Sequence, residues 1–188
     1  MITMVLEHSE KELVDACRRG EREAFRELFE LHRDRVYSIA LRYSGDESAA
    51  MDIAQDTFVK LFGSIQDFRG EAAFQTWIYR LVVNSCFDYQ RRAKRLTPLA
   101  DRLLSTLRAP ADALADMLRS EVRVSVREAV ECLSPTLRMA IVLRYTEGLS
   151  YEEMSQVLNC SLGTVASRLN RAHKSLERKL AHLGGYRV

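Results

Sequence analysis

The stretch Gly148 to Ala172, GLSYEEMSQVLNCSLGTVASRLNRA, governs how the rest of the chain is read. Ser150 followed three residues later by Glu153 is the pattern of a capping box, in which a hydroxyl and a carboxylate satisfy the first free backbone N–H groups of a helix. Asn159 and Cys160 stand where that short helix should stop, and Ser161 is placed to cap a second one. Along the second helix Val165, Leu169, Ala172, Leu176, Leu180 and Leu183 recur every three or four residues, which makes one apolar face. Thr164, Ser167, Arg168, Arg171, Lys174, Ser175 and Arg178 fall on the other side. Two helices, a tight turn and a basic, hydroxyl-bearing face describe a helix-turn-helix. Its second helix would enter the major groove, with arginine or lysine toward guanine edges and hydroxyls toward phosphates. A solvated basic face would look the same from the second helix alone; the capped helix just upstream favours DNA.

Helical periodicity continues outward from this motif. The chain of 188 residues holds only 8 Gly and 3 Pro, and alternation of period two is scarce. The spacing predicts helices over 9–18, 21–43, 46–64, 71–93, 117–132, 135–146, 150–158 and 161–182, punctuated by Gly20, Gly45, Gly70 and Gly148. Ser134-Pro135 reads as an N-cap followed by proline at the first helical position. The expected fold is all-α: two small helical domains joined by a linker, the second containing the helix-turn-helix. The boundaries drawn are 1–94, 95–116 and 117–188, because Pro98 and Pro110 lie in the middle stretch and the aromatic run of the first part stops after Tyr89. That stretch is rich in leucine. Leu96, Leu99, Leu103 and Leu107 could line a short amphipathic helix docked on either domain, a reading preferred over a free tether.

Charge is unevenly spread. Residues 1–60 hold 9 Lys/Arg against 13 Asp/Glu, a net −4, and residues 61–188 hold 19 against 13, a net +6. A basic second part suits nucleic acid, and an acidic front suits a protein partner. Cys17, Cys86, Cys132 and Cys160 form no metal-ligand spacing, so they read as small apolar residues of a reducing compartment. Neither a metal nor a cofactor is expected, and no catalytic residue is assigned. Glu7, Glu10 and Glu12 interrupt any apolar leader and no stretch approaches a membrane span, so the protein is expected in the cytoplasm with no membrane insertion.

Three further features lie in the first part. In DIAQDTFVK, Asp52 to Lys60, helical spacing puts Asp52, Gln55, Asp56 and Val59 on one side while Ile53, Ala54, Phe58 and Leu61 face a core. An acidic and amide stripe repels phosphate and suits a basic protein surface. In FRGEAAFQTWIYRLVVNSCFDYQRR, Phe68 to Arg92, aromatic side chains alternate with basic and amide ones. Rings stack on unpaired bases while arginines hold the backbone, so this composition fits single-stranded nucleic acid. Leu81 and Phe87 read as core, and for Trp77 core and base contact stand equal. The end of that helix, Arg91, Arg92, Lys94 and Arg95, is a phosphate-tracking cluster.

Taken in order, these blocks resemble the bacterial RNA polymerase sigma factors of the extracytoplasmic-function type, over about Glu21 to Leu183. The resemblance implies that Asp52, Gln55, Asp56, Phe58 and Lys60 contact core RNA polymerase, at the clamp helices of its largest subunit. It implies that the loop Phe68 to Phe74, Arg69 included, captures a base flipped from the melted strand. Trp77, Arg80, Asn84, Asp88, Arg91 and Arg92 would flank that −10 element, and Thr164, Ser167, Arg168, Arg171 and Lys174 would read the −35 element. Promoter DNA, the flap of the second polymerase subunit and an anti-sigma factor are the further partners it implies. Ala166 stands where many relatives carry Arg or Lys, His173 where Arg is common, and Asn170 at a position that varies between subgroups, so the common −35 consensus is not carried over. The leucine-rich linker also departs from the acidic connectors of the family. Two other readings give fewer of these residues a role: a free-standing DNA-binding regulator, and a sigma-like adaptor that sequesters another protein.

Overall fold

In the computed structural model the described residues are 10–70, 72–96 and 114–181. They form eight α-helices and no strand: α1 (Glu10–Arg18), α2 (Arg22–Ser44), α3 (Glu47–Ser64), α4 (Phe74–Leu96), α5 (Leu114–Glu131), α6 (Pro135–Tyr145), α7 (Tyr151–Val157) and α8 (Leu162–Leu180), with one 3-10 turn at Ile65–Asp67. Helices α1 to α4 pack as one domain and α5 to α8 as a second. No described helix is long and apolar enough to cross a membrane.

The helix ends follow local chemistry. Gly45 closes α2 with φ of 74°, a conformation that favours glycine, and its N–H donates to the Leu41 carbonyl. Asp46 then caps α3 by accepting from the Ala49 N–H at 2.8 Å. The capping box is present, with Glu153 N–H donating to the Ser150 hydroxyl and Ser150 N–H to the Glu153 carboxylate. Ser134 does precede Pro135, but its hydroxyl makes no capping bond; its backbone carbonyl accepts from Leu137 and Arg138 instead. Helix α4 starts three residues later than the spacing predicts and runs to Leu96, inside the expected linker. Leu99, Leu103 and Leu107 lie outside the described residues.

The first core is built on Leu28, Ile39, Tyr43, Ile53, Leu61, Ile78 and Val82, with edge-on pairs Phe25–Phe62 and Phe29–Phe58. Met139, Leu143, Met154, Val157, Val165 and Leu169 of the second domain are buried in continuity with it, so the buried side chains of both domains form one cluster. Of the apolar face expected on the second helix of the motif, Val165, Leu169 and Ala172 are buried, and Leu176 and Leu180 are half-buried at its far end. Leu183 is outside the described residues.

Candidate nucleic-acid interface

Helix α3 presents Asp52 and Gln55 to solvent beside two exposed apolar side chains, Met51 and Val59. Asp56 and Lys60 sit lower, half-buried against α4. The Lys60 ammonium lies 2.8 Å from Asp88, 3.2 Å from the Ser85 hydroxyl and 3.3 Å from Asp56. Arg92 reaches Asp56 at 3.0 Å, and Arg91 pairs with Asp88. Burial works against the Lys60 charge, but Asp88 and Asp56 outweigh it and hold its pKa above the usual value. Hydrogen bonds from Lys60 and Arg91 keep Asp88 below the usual carboxylate range. Lys60 and Asp88, expected to face polymerase and DNA, are thus turned toward each other as the tie between α3 and α4. Phe58, expected on the polymerase face, is 5% exposed and meets Phe29 edge-on, because its position on α3 points into the core.

The loop before α4 carries an aromatic cluster. Phe68, Phe74 and Trp77 lie with ring centroids 5.2 to 5.6 Å apart. Phe74 is buried, whereas Phe68 and Trp77 are half-buried and Arg69 is exposed. Behind Phe74 sits His32, 4% exposed, its ring 5.5 Å from the Phe74 ring. Its Nε2 is 3.1 Å from a Glu10 carboxylate oxygen but out of line for a hydrogen bond. Burial dominates and lowers the His32 pKa; Glu10 opposes the shift and Arg35 adds to it.

A lowered histidine pKa means that the folded chain resists protonation more than the unfolded one does. The stability it supports is complete above the ordinary histidine value, about 6.5, and is lost as pH falls through the folded-state value. The melting temperature should therefore drop between about pH 7.5 and 5.5, and His32→Gln should flatten that slope in thermal melts. An unchanged slope in the variant would place the acid sensitivity elsewhere.

On α4, Arg91, Arg92, Lys94 and Arg95 are exposed. Arg80 is half-buried and donates through Nε to the Gln156 carbonyl of α7 at 2.9 Å. Asn84 is exposed at the mouth of a cleft of about 360 Å³ whose other lining includes Arg80, Phe87, Thr136, Asn159 and Arg168. Phe87, read from the sequence as core, is half-buried in that cleft and meets Tyr43 edge-on.

The turn between α7 and α8 is made at Asn159, with φ of 46°. Asparagine tolerates this left-handed conformation. Ser161 caps α8 by accepting from the Thr164 N–H. The outward pole of α8 carries Ser167, Asn170, Arg171 and Lys174. The Arg171 guanidinium lies on the Ser167 hydroxyl at 2.8 and 3.2 Å. Thr164 and Arg168 are half-buried on the flank, Thr164 in contact with Ser161 and Arg168 3.7 Å from the Cys160 sulfur. Asn170, left out of the sequence-based site, stands between the expected contacts; its position three residues after Ser167 was the available signal. His173 is exposed and pairs with Tyr145 at 2.8 Å.

A helix-turn-helix with a basic outer face, joined to a helical domain bearing an acidic face, an aromatic cluster and an arginine row, defines a DNA-reading protein that also docks on a protein. Residues 28–96 match the model of sigma-70 region 2, and residues 123–176 that of sigma-70 region 4. The RNA polymerase sigma-H factor of Pseudomonas aeruginosa is 31% identical over 96% of this chain and 98% of its own. The ECF RNA polymerase sigma-E factor of Escherichia coli is 35% identical over 91% of this chain and 94% of its own. Among solved structures, CnrH in complex with the cytosolic domain of CnrY matches with a TM-score of 0.65 and 26% identity, over 90% of this chain and 96% of that one. The sigma factor RpoE of Bartonella quintana shares the fold, with a TM-score of 0.62 and 22% identity over 85% and 98%. The chain belongs to the sigma-70 family, as a sigma factor of the extracytoplasmic-function type. It is a transcription initiation factor that binds core RNA polymerase and directs promoter-specific initiation, melting the −10 element and reading the −35 element. The free-standing regulator is set aside, since the likeness runs through α3 and α4 as well as the helix-turn-helix.

Proposed function

We propose that the exposed acid–amide face of α3 docks on the clamp helices of the largest polymerase subunit, while α4 and α8 hold the two promoter elements. The observation that carries this reading is the pairing of Asp56, on the α3 helix that also exposes Asp52 and Gln55, with Arg92 of the exposed arginine row on α4, so that one small domain offers an acidic face and a basic one together. Asp56 would be shared between polymerase and Arg92. Phe58 and Lys60 support that face from below. Phe68, Arg69 and Trp77 would receive the flipped base of the −10 element, with Phe74 as the floor of the pocket. Arg80, Asn84, Arg91 and Arg92 would track the melted strand, with Asp88 holding Arg91 and Lys60 in place. Unstacking a base costs a few kcal/mol, which ring stacking offsets.

Ser167, Arg171 and Lys174 would enter the −35 major groove, with Thr164 and Arg168 reaching phosphates from its edge. The domains would divide as 1–94, 95–116 and 117–188, the last also meeting the flap of the second subunit. The tether makes the second DNA contact effectively intramolecular, so two modest contacts combine into a selective one. The protein would act in the cytoplasm without catalysing chemistry of its own. CnrH was solved in complex with the cytosolic domain of CnrY, and the Bartonella RpoE in complex with the anti-sigma factor NepR. An anti-sigma partner is the corresponding proposal here.

Run-off transcription with promoter variants tests the −35 assignment. Arg171→Ala should relax the preference at one base pair by about 1–2 kcal/mol, whereas Lys174→Ala should weaken all promoters alike and lower the salt slope by about one. A uniform loss from Arg171→Ala would make it a phosphate contact.

A further inference from the structure

We infer that His32 is a positioning residue for promoter melting: its ring sets where Phe74 lies, and through Phe74 it sets the placement of Phe68 and Trp77. This role rests on the reading of that cluster as the receiver of the flipped base. His32 stands on α2, which carries none of the proposed contacts with DNA or polymerase, and Leu28 and Val36, buried one turn to either side, share its face. Its side chain is in the core, yet Nε2 has no hydrogen-bond partner, although a Glu10 carboxylate oxygen lies 3.1 Å away. An orphaned buried nitrogen lowers stability, and a phenylalanine in the same place would have none. A histidine here calls for a role beyond packing.

Phe74 depends on this neighbour because little in its own segment fixes it. It is the first residue of α4, and Ala73 before it has no polar side chain with which to cap the helix. The entry of the chain into α4 is therefore set by what Phe74 packs on. Its ring is 6% exposed and lies 5.5 Å from the His32 ring, with 57° between the planes. It also meets Phe68 edge-on at 5.5 Å and Trp77 at 5.6 Å. In a close-packed core a shift of the imidazole passes by contact to both half-buried rings. Helix α1 backs the arrangement: it buries Leu13, Val14, Ala16 and Cys17, and packs on both α2 and the 3-10 turn that leads into the Phe68 loop.

The charged groups acting on His32 are Glu10 of α1 and Arg35 of α2, the latter 3.6 Å from Glu147 of the second domain; α4 faces it with the Phe74 ring. Burial, the largest influence, favours the neutral ring, Glu10 opposes it and Arg35 adds to it. As pH falls through the folded-state value, the imidazolium gains an attraction to Glu10 and a demand for polar partners that the Phe74 face cannot meet. The ring then moves toward Glu10, and Phe74 loses its seat.

Trp77 is the single tryptophan of the chain, so its emission reports the cluster directly. Emission of the full chain should move to longer wavelength as pH falls from about 7.5 to 5.5, whereas His32→Phe, which keeps a ring and cannot titrate, should show no such shift. Glu10→Gln should displace the transition to lower pH, since the carboxylate favours the charged ring. In the holoenzyme, at a temperature where every variant is folded by circular dichroism, wild-type promoter opening should slow about tenfold over this range relative to His32→Phe, with closed-complex formation unaffected. His32→Ala should slow opening about tenfold already at about pH 7.5, and His32→Phe should recover most of that loss. Emission that follows pH alike in wild type and His32→Phe would overturn the positioning role. An emission shift confined to the wild type, with coincident opening profiles, would overturn the part His32 plays in melting. Normal opening by Trp77→Ala in the same assay would instead overturn the reading of the cluster as the base receiver.

Discussion

Asp56→Arg is expected to weaken binding of the chain to core RNA polymerase by about a hundredfold, or about 3 kcal/mol, the size of loss seen when one partner of a desolvated charge pair is removed. The structure makes this effect composite. Asp56 also lies 3.3 Å from Lys60 and 3.0 Å from Arg92, so an arginine there would gather three cations where α3 meets α4. Part of the loss would come from loosening that helix pair. Asp52→Arg separates the two contributions, because Asp52 is exposed on the same face and outside the ion network. It should lower polymerase affinity by about tenfold and leave the melting temperature unchanged. Fluorescence anisotropy with labelled chain and core polymerase measures both. Wild-type affinity in Asp56→Arg would remove α3 from the docking surface.

Trp77→Ala is expected to spare closed-complex formation and slow promoter opening by about thirtyfold, or about 2 kcal/mol, within the range for losing one base–ring stack. The Trp77 ring packs 5.2 Å from Phe68 and 5.6 Å from Phe74 while remaining half-buried, which suits a platform more than a core plug. Opening is followed with a base analogue whose fluorescence rises on unstacking, at a temperature well below the melting point of the variant. Trp77→Phe should recover part of the rate, since a smaller ring keeps a stacking face. Normal opening in Trp77→Ala would return Trp77 to a purely structural role.

Much of the fold was legible because its signals are local. Ser150 and Glu153 specify a helix start by bonds spanning three residues, and the Val165–Leu169–Ala172 face follows from the pitch of a helix. The same reasoning placed Asp52 and Gln55 on an exposed face correctly. It was less reliable where one side chain suits two environments. Phe58 fits the apolar side of α3 and a polymerase-facing position equally well by spacing, and in the fold it is buried. Phe87, read as core, does pack on the buried cluster and meets Tyr43, and its half-buried side also lines the cleft shared with residues of α6, α7 and α8.

Local pitch, capping and charge order were enough to establish an all-helical chain, the helix-turn-helix and the order of its functional blocks, since each depends on residues within a turn or two. The pairings Lys60–Asp88, Arg92–Asp56, Arg80–Gln156 and Glu147–Tyr79 join positions 28 to 76 residues apart. No spacing rule reaches that far. They depend on how α3 lies on α4 and how the second domain seats on the first. Packing therefore settled which charged groups face solvent and which are held by another helix.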